Sequence, residues 1–164
     1  MDRPKIKIEK DVLDVFLETL GLAFIIIILV LPIVYYNQLP EKIPTHFGAD
    51  GTADDFGSKS SIWLLPILGT VMFFGLFMLN KYPHIFNYPQ KITAENAKKQ
   101  YQNATKLIRF LNTSIALVFA YITYSTINVA IGKQSGLGSY FLIAFLVLIF
   151  IPIFYFLYRS IPKK

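Results

Sequence analysis

Four stretches of about twenty residues each pass without a charged side chain at their centres, and this pattern restricts the fold more than any other feature. They cover residues 15–36 (uncharged after Glu18), 61–80, 110–131 and 138–158. A bilayer core about 30 Å thick takes roughly 20 apolar helical residues to cross. One charge at such a centre costs roughly 2.5–3.5 kcal/mol on the insertion scale. Lipid offers no partner to backbone amides, so each span is expected to be a helix. The expected fold class is an all-α membrane protein: four transmembrane helices with a folded extracytoplasmic loop between helices 1 and 2. The expected division is an N-terminal segment (1–14), a membrane domain (15–131), and a fourth span with a basic tail (132–164).

Composition agrees with this. Of the 164 residues, 54% are hydrophobic and only 16% charged, fewer charges than a soluble domain of this length carries. The chain has no cysteine, which excludes disulfides, thiolate metal sites and cysteine nucleophiles. The net charge of +6 would suit nucleic acid, but the basic residues are distributed as span flanks. Alternate sides hold thirteen and three of the sixteen lysines and arginines. The richer side carries Arg3 to Lys10, the connection 81–109 and the tail; the poorer side carries Lys42, Lys59 and Lys133. Both termini are therefore expected in the cytoplasm and loop 37–60 outside, in a multi-pass protein of the cell membrane. The first span is too long for a cleaved signal peptide and reads as a retained anchor. Tyr35, Tyr36, Trp63 and Tyr158 stand where an interfacial aromatic belt would.

The connections and the third span carry further signals. Residues 1–14 are short and charged, expected frayed or interfacial. Two Tyr-Pro pairs favour an ordered, non-helical loop over 81–90, with His84 as a loop hydrogen-bonder. A helix is expected from Thr93 as N-cap, with Ile92 and Ala97 as a hydrophobic staple, running on into the third span. The sequons at Asn103 and Asn112 are chance matches on this topology. Pro32, Pro66 and Pro152 are tolerated as membrane helices tolerate proline. The third span is the most polar: Tyr121, Tyr124 and Asn128 share a face, as helix-packing groups or as the lining of a pathway. Residues 132–138 read as a tight external turn, and the fourth span as broadly lipid-facing.

Loop 37–60 is the acidic exception. Leu39-Pro40 and Ile43-Pro44 impose extended backbone, Asp50-Gly51 marks a turn, and Phe56-Gly57 returns towards Phe47. A folded cap follows. Asp50, Thr52 and Asp54 match the first offsets of a calcium loop, but Asp55 and Ile62 stand where its glycine and final glutamate belong. A zinc site on His46, Asp50 and Asp54 lacks a second histidine. No metal and no cofactor are expected, and His46 and the aspartates read first as loop scaffold.

The ordered pattern Leu39-Pro40-x-x-Ile43-Pro44-x-His46-Phe47-Gly48-x-x-Gly51-x-x-Asp54-x-Phe56-Gly57-x-Lys59 resembles the domain of unknown function 1648. That domain also forms the N-terminal part of SdpI-type immunity proteins. The resemblance extends through Tyr82-Pro83-His84 and the helix after Thr93, roughly residues 17–131. It implies a bacterial-type multi-pass membrane protein and brings no catalytic residues. SdpI-type proteins protect against a secreted toxic peptide and help to sense it; they carry an additional C-terminal membrane domain for which this chain is too short.

The chain is expected not to be an enzyme. Pro44, His46, Phe47, Asp50, Gly51, Asp54, Phe56, Gly57 and Lys59 form the expected ligand or partner loop. The first expectation is sensing or binding, with immunity or signalling by family analogy. A transporter or channel-like subunit using Tyr121, Tyr124 and Asn128 is the alternative. A metal-dependent membrane enzyme using His46, Asp50, Asp54 and Asp55 is a weaker one. Expected partners are the lipid bilayer and an extracellular peptide or another membrane protein; a homo-oligomer fits as well, and no nucleic acid is expected.

Overall fold

The computed structural model describes residues 3–161, so Lys163 and Lys164 of the basic tail lie outside the described residues. Four helices in it are long and apolar enough to cross a membrane. Helix α1, Val12–Tyr35, opens on a reciprocal cap: the Asp14 amide donates to Asp11 Oδ1 and the Asp11 amide to Asp14 Oδ2. Two acceptors at a helix N-terminus satisfy amides that have no partner within the helix. A 3-10 turn, Tyr36–Gln38, leads into strands β1, Lys42–Phe47, and β2, Ala53–Ser58. These pair as an antiparallel hairpin, so the folded loop adds a small sheet to a mostly helical chain. Register shifts on either side of His46 place Ala53, rather than Phe56, opposite Phe47, while Phe56 faces Pro44. Pro44 donates no ladder bond, and a bulged two-stranded edge tolerates it.

A second 3-10 turn, Lys59–Trp63, feeds helix α2, Leu64–Leu79. Pro66 falls in its first turn, where a missing N–H costs nothing. Helix α3, Ala97–Ala130, is continuous for 34 residues, roughly 50 Å at about 1.5 Å per residue. It therefore exceeds a bilayer core by several turns. Its regular part begins after Asn96, later than expected, but the bonds of a Thr93 cap are present: the Thr93 amide donates to Asn96 Oδ1, the Asn96 amide to the Thr93 hydroxyl and the Ala97 amide to the Thr93 carbonyl. The expected contact of Ile92 with Ala97 is present, in a cluster with Tyr101. Helix α4 covers Phe141–Ser160.

Helix α3 is the hub, packed against α1, α2 and α4. Small residues allow this. Ala116 and Ala120 lie among Ile25, Ile28 and Phe73. A Cβ on Gly21 would stand 2.6 Å from the Phe73 ring and 3.3 Å from the Thr113 hydroxyl. Side-chain amides then tie the helices together, as polar groups do where lipid is the alternative. Asn112 Nδ2 donates to the Phe73 carbonyl at 3.1 Å and Asn103 Nδ2 to the Phe156 carbonyl at 2.7 Å, so both sequon asparagines are packing residues. The outer faces are apolar, most broadly on α4, where Ile143, Val147, Ile151 and Phe154 are all exposed.

The N-terminal segment is docked rather than frayed. The Arg3 guanidinium donates to the His84 and Phe86 carbonyls, and Ile8 packs on the Ile92–Tyr101 cluster. The molecule thus has a hairpin end and, opposite it, a basic end formed by this segment and the 81–96 connection.

Candidate functional site

The hairpin is anchored from below and from the side. Ile43 is fully buried with Leu39, Ile62 and Ile127, which seats β1 on α3. At the tip, Gly51 has φ +83°, a region costly for residues with a Cβ. Its carbonyl accepts the Leu137 amide at 2.7 Å, and Thr52 bridges to Gly136. The turn expected at 132–138 is therefore half of the cap, laid against the hairpin tip.

The acidic side chains mostly bond within the hairpin. Asp50 Oδ1 accepts the Thr52 amide at 3.0 Å and the Thr52 hydroxyl at 2.8 Å. Those two bonds, the amide first, hold the Asp50 carboxyl below its ordinary range. His46 Nδ1 lies 2.6 Å from Asp54 Oδ1. The Thr45 hydroxyl reaches Asp55 Oδ2 at 3.3 Å. Lys59 pairs with Glu41 at 2.7 Å, not with an aspartate, and its ammonium lies over the Tyr36 ring. Gly57 faces Thr45 so closely that a Cβ would stand 2.8 Å from the Thr45 methyl. Phe56 is exposed. No group of three or more His, Asp or Glu placed to hold a metal occurs among the described residues.

Beneath β1 lies a cavity of about 310 Å³, between the hairpin-side ends of α2 and α4, with α3 as its back wall. Pro44, His46 and Phe47 line it from the hairpin, and Thr123 and Thr126 from α3. Thr123 is 1% exposed and its hydroxyl has no hydrogen-bond partner among the described residues. An unpartnered buried hydroxyl costs about 1–3 kcal/mol, a deficit that a ligand donor or acceptor would offset. The lining is otherwise largely apolar, the usual character of a small-ligand site. Three of the nine loop residues singled out from the sequence thus meet at one concavity. Asp50, Gly51, Asp54 and Gly57 shape the hairpin above it.

The third-span residues are arranged differently. The Tyr121 hydroxyl donates to the Leu137 carbonyl at 2.8 Å and its ring stacks on Phe141, which ties α3 to the cap. Tyr124 is half exposed on the outer surface, and Asn128 Nδ2 donates back to the Tyr124 carbonyl. The buried polar side chains of the third span are instead Asn112, Thr113, Ser114, Thr123, Ser125 and Thr126.

Sequence reasoning missed a second polar centre at the basic end. Arg109 Nε donates to Glu18 Oε1 at 2.8 Å, and Arg109 Nη1 lies 3.3 Å from Asp14 Oδ1. Arg109 and Asp14 are both buried. Lys10 bonds Glu18 at 2.5 Å, and Lys106 bonds Asp11. A signal was present: Asp14 and Glu18, four apart, share one face at the start of an apolar helix, where unpaired carboxylates are costly.

Comparison with known proteins agrees with the loop motif. A family model described as domain of unknown function (DUF1648) matches residues 23–70, which cover most of α1, the hairpin and the first turns of α2. A protein of the archaeon Archaeoglobus fulgidus, itself described as uncharacterized, is 28% identical over 156 residues, spanning 86% of this chain and 84% of its own. No solved structure matches. The segment that carries the hairpin and one wall of the cavity, residues 23–70, is therefore the part of the chain that is similar to the domain of unknown function 1648.

Proposed function

We propose that this chain is a four-span integral membrane protein, with both termini in the cytoplasm, that binds a ligand at its extracytoplasmic cap. The lysine and arginine asymmetry supports the orientation. The carrying observation is the cavity under β1, roofed by His46 and Phe47 and backed by the unpartnered Thr123 hydroxyl. Such a site takes an apolar group bearing one hydrogen-bonding atom, as an extracellular peptide side chain presents, and the protein acts as receptor rather than catalyst. The association of this domain with SdpI-type proteins supports immunity or sensing as the physiological output.

The test is a challenge of deletion and complemented strains with secreted antimicrobial peptides. Thr123→Leu, which removes the hydroxyl and intrudes on the cavity, and His46→Ala are expected to abolish complementation while the protein stays in the membrane at wild-type abundance. Full complementation by both variants contradicts the reading.

A further inference from the structure

The basic end contains a second cavity, distinct from the cap, with the chemistry of an anion site. It holds about 370 Å³ between the N-terminal segment, the end of α2 and α3. Among the described residues, Lys7, Lys10, Lys81 and Arg109 line it, against one carboxylate, Glu18. Asp14 reaches Arg109 from outside the lining, so among the described residues four cations meet two carboxylates. The Lys10 and Lys81 ammonium groups each lie 5.3 Å from the centroid of one ring, Phe77, which holds like charges on a common side chain. Lys10 has Glu18 as its partner. Among the groups that line the cavity, Asn80 is a buried neutral polar one, only 8% exposed. Its Nδ2 donates to the Thr105 carbonyl, while Oδ1 has no hydrogen-bond partner among the described residues.

This combination asks for two things at once. The excess positive charge is satisfied by an anion, and a phosphate oxygen set meets ammonium and guanidinium donors together. The unpaired acceptor on Asn80 is satisfied by a donor, which a bare phosphodiester lacks and a hydroxyl supplies. We infer that the basic-end cavity binds an anionic phosphate ester that carries a free hydroxyl, with Lys7, Lys10, Lys81 and Arg109 on the phosphate and Asn80 on the hydroxyl. A glycerol-type lipid headgroup and a soluble polyol phosphate share this chemistry. The lipid source rests on the membrane reading above, because it requires this end to lie at a headgroup layer; the soluble source does not.

The experiment uses the full chain purified in a neutral detergent, with binding read by native mass spectrometry and thermal shift. The probes are phosphatidylglycerol, phosphatidylcholine and glycerol 3-phosphate. Lys7→Gln and Lys81→Gln are the site variants, since neither lysine forms an ion pair among the described residues. Lys98→Gln, an exposed lysine at the same end, is the control. Each site variant is expected to weaken phosphatidylglycerol binding about fivefold, the ratio equivalent to ~1 kcal/mol per basic side chain. The control is expected to leave it unchanged, and phosphatidylcholine is expected not to compete. Binding of glycerol 3-phosphate with the same variant dependence identifies a soluble ligand for the same site. Equal losses in Lys98→Gln and the site variants, or no loss in either site variant, overturn the assignment and leave only diffuse surface charge.

Discussion

At the residue scale, Arg109 and Gly51 each hold a structure together at one end of the molecule. Arg109 neutralises Asp14 and Glu18 where α1 meets α3. Removing one partner of a buried ion pair leaves an uncompensated charge, typically about 3–5 kcal/mol. Arg109→Leu is expected to lose stability of that order in detergent, followed by thermal or denaturant unfolding. Arg109→Leu combined with Glu18→Leu and Asp14→Asn is expected to recover much of it. Gly51 serves geometry instead of charge: at its positive φ a Cβ would stand 2.6 Å from the Gly138 carbonyl oxygen. Gly51→Ala is expected to cost about 1–3 kcal/mol and to loosen the cap, seen as faster exchange of the Leu137 amide. The two residues differ in how visible they were. Asp50-Gly51 announces a turn by its chemistry alone. Arg109 reads as one more flanking cation, because nothing along the chain shows that it faces two carboxylates some ninety residues away.

At the element scale, the hairpin and the α1–α2–α3 junction make separate predictions. The Asp50 carboxylate caps the hairpin tip through Thr52, and those bonds lower its pKa from an ordinary value of 3.8. A depressed folded-state pKa means the contribution is complete above the unfolded value and is lost as pH falls through the folded one. Protection of the Thr52 amide against hydrogen exchange is therefore expected to hold from neutral pH to about 4. It should fall only at lower pH, and Asp50→Ala should remove that step. At the junction, Gly21 lets α1 lie against Phe73 and Thr113. Gly21→Leu overpacks this contact and is expected to cost about 1–3 kcal/mol, measured by the same unfolding assay. The four long helices were legible because uncharged length is a one-dimensional signal. The strand register was not: no residue type in the loop marks the shifts on either side of His46, and β1 is seated through Ile43 on Ile127, a contact across the fold. The partnership between the 132–138 turn and Gly51 was hidden for the same reason.

At the scale of the whole molecule, α3 is a polar-faced hub between two ends of different chemistry. One end carries a folded cap over a largely apolar cavity, and the other carries a cationic cavity beside a buried ion network. This polarity follows from the chain's lysine and arginine asymmetry, and the proposed roles of both cavities depend on which end faces out. The cavity beneath the cap could not be read from the motif, since its walls join residues 43–65 to residues 122–141, far along the chain. The loop motif contributes Ile43, Pro44, His46 and Phe47 to the lining, whereas Thr123 belongs to a span whose tyrosines are its more conspicuous polar residues. The absence of cysteine makes orientation directly measurable. Single cysteines placed by Asp55→Cys in the exposed hairpin and Lys98→Cys at the basic end can be probed on intact cells with a membrane-impermeant maleimide. Labelling of Asp55→Cys in intact cells, with Lys98→Cys labelled only after permeabilisation, is the expected result; the reverse pattern, or equal labelling of both before permeabilisation, would contradict the four-span, cap-outward account.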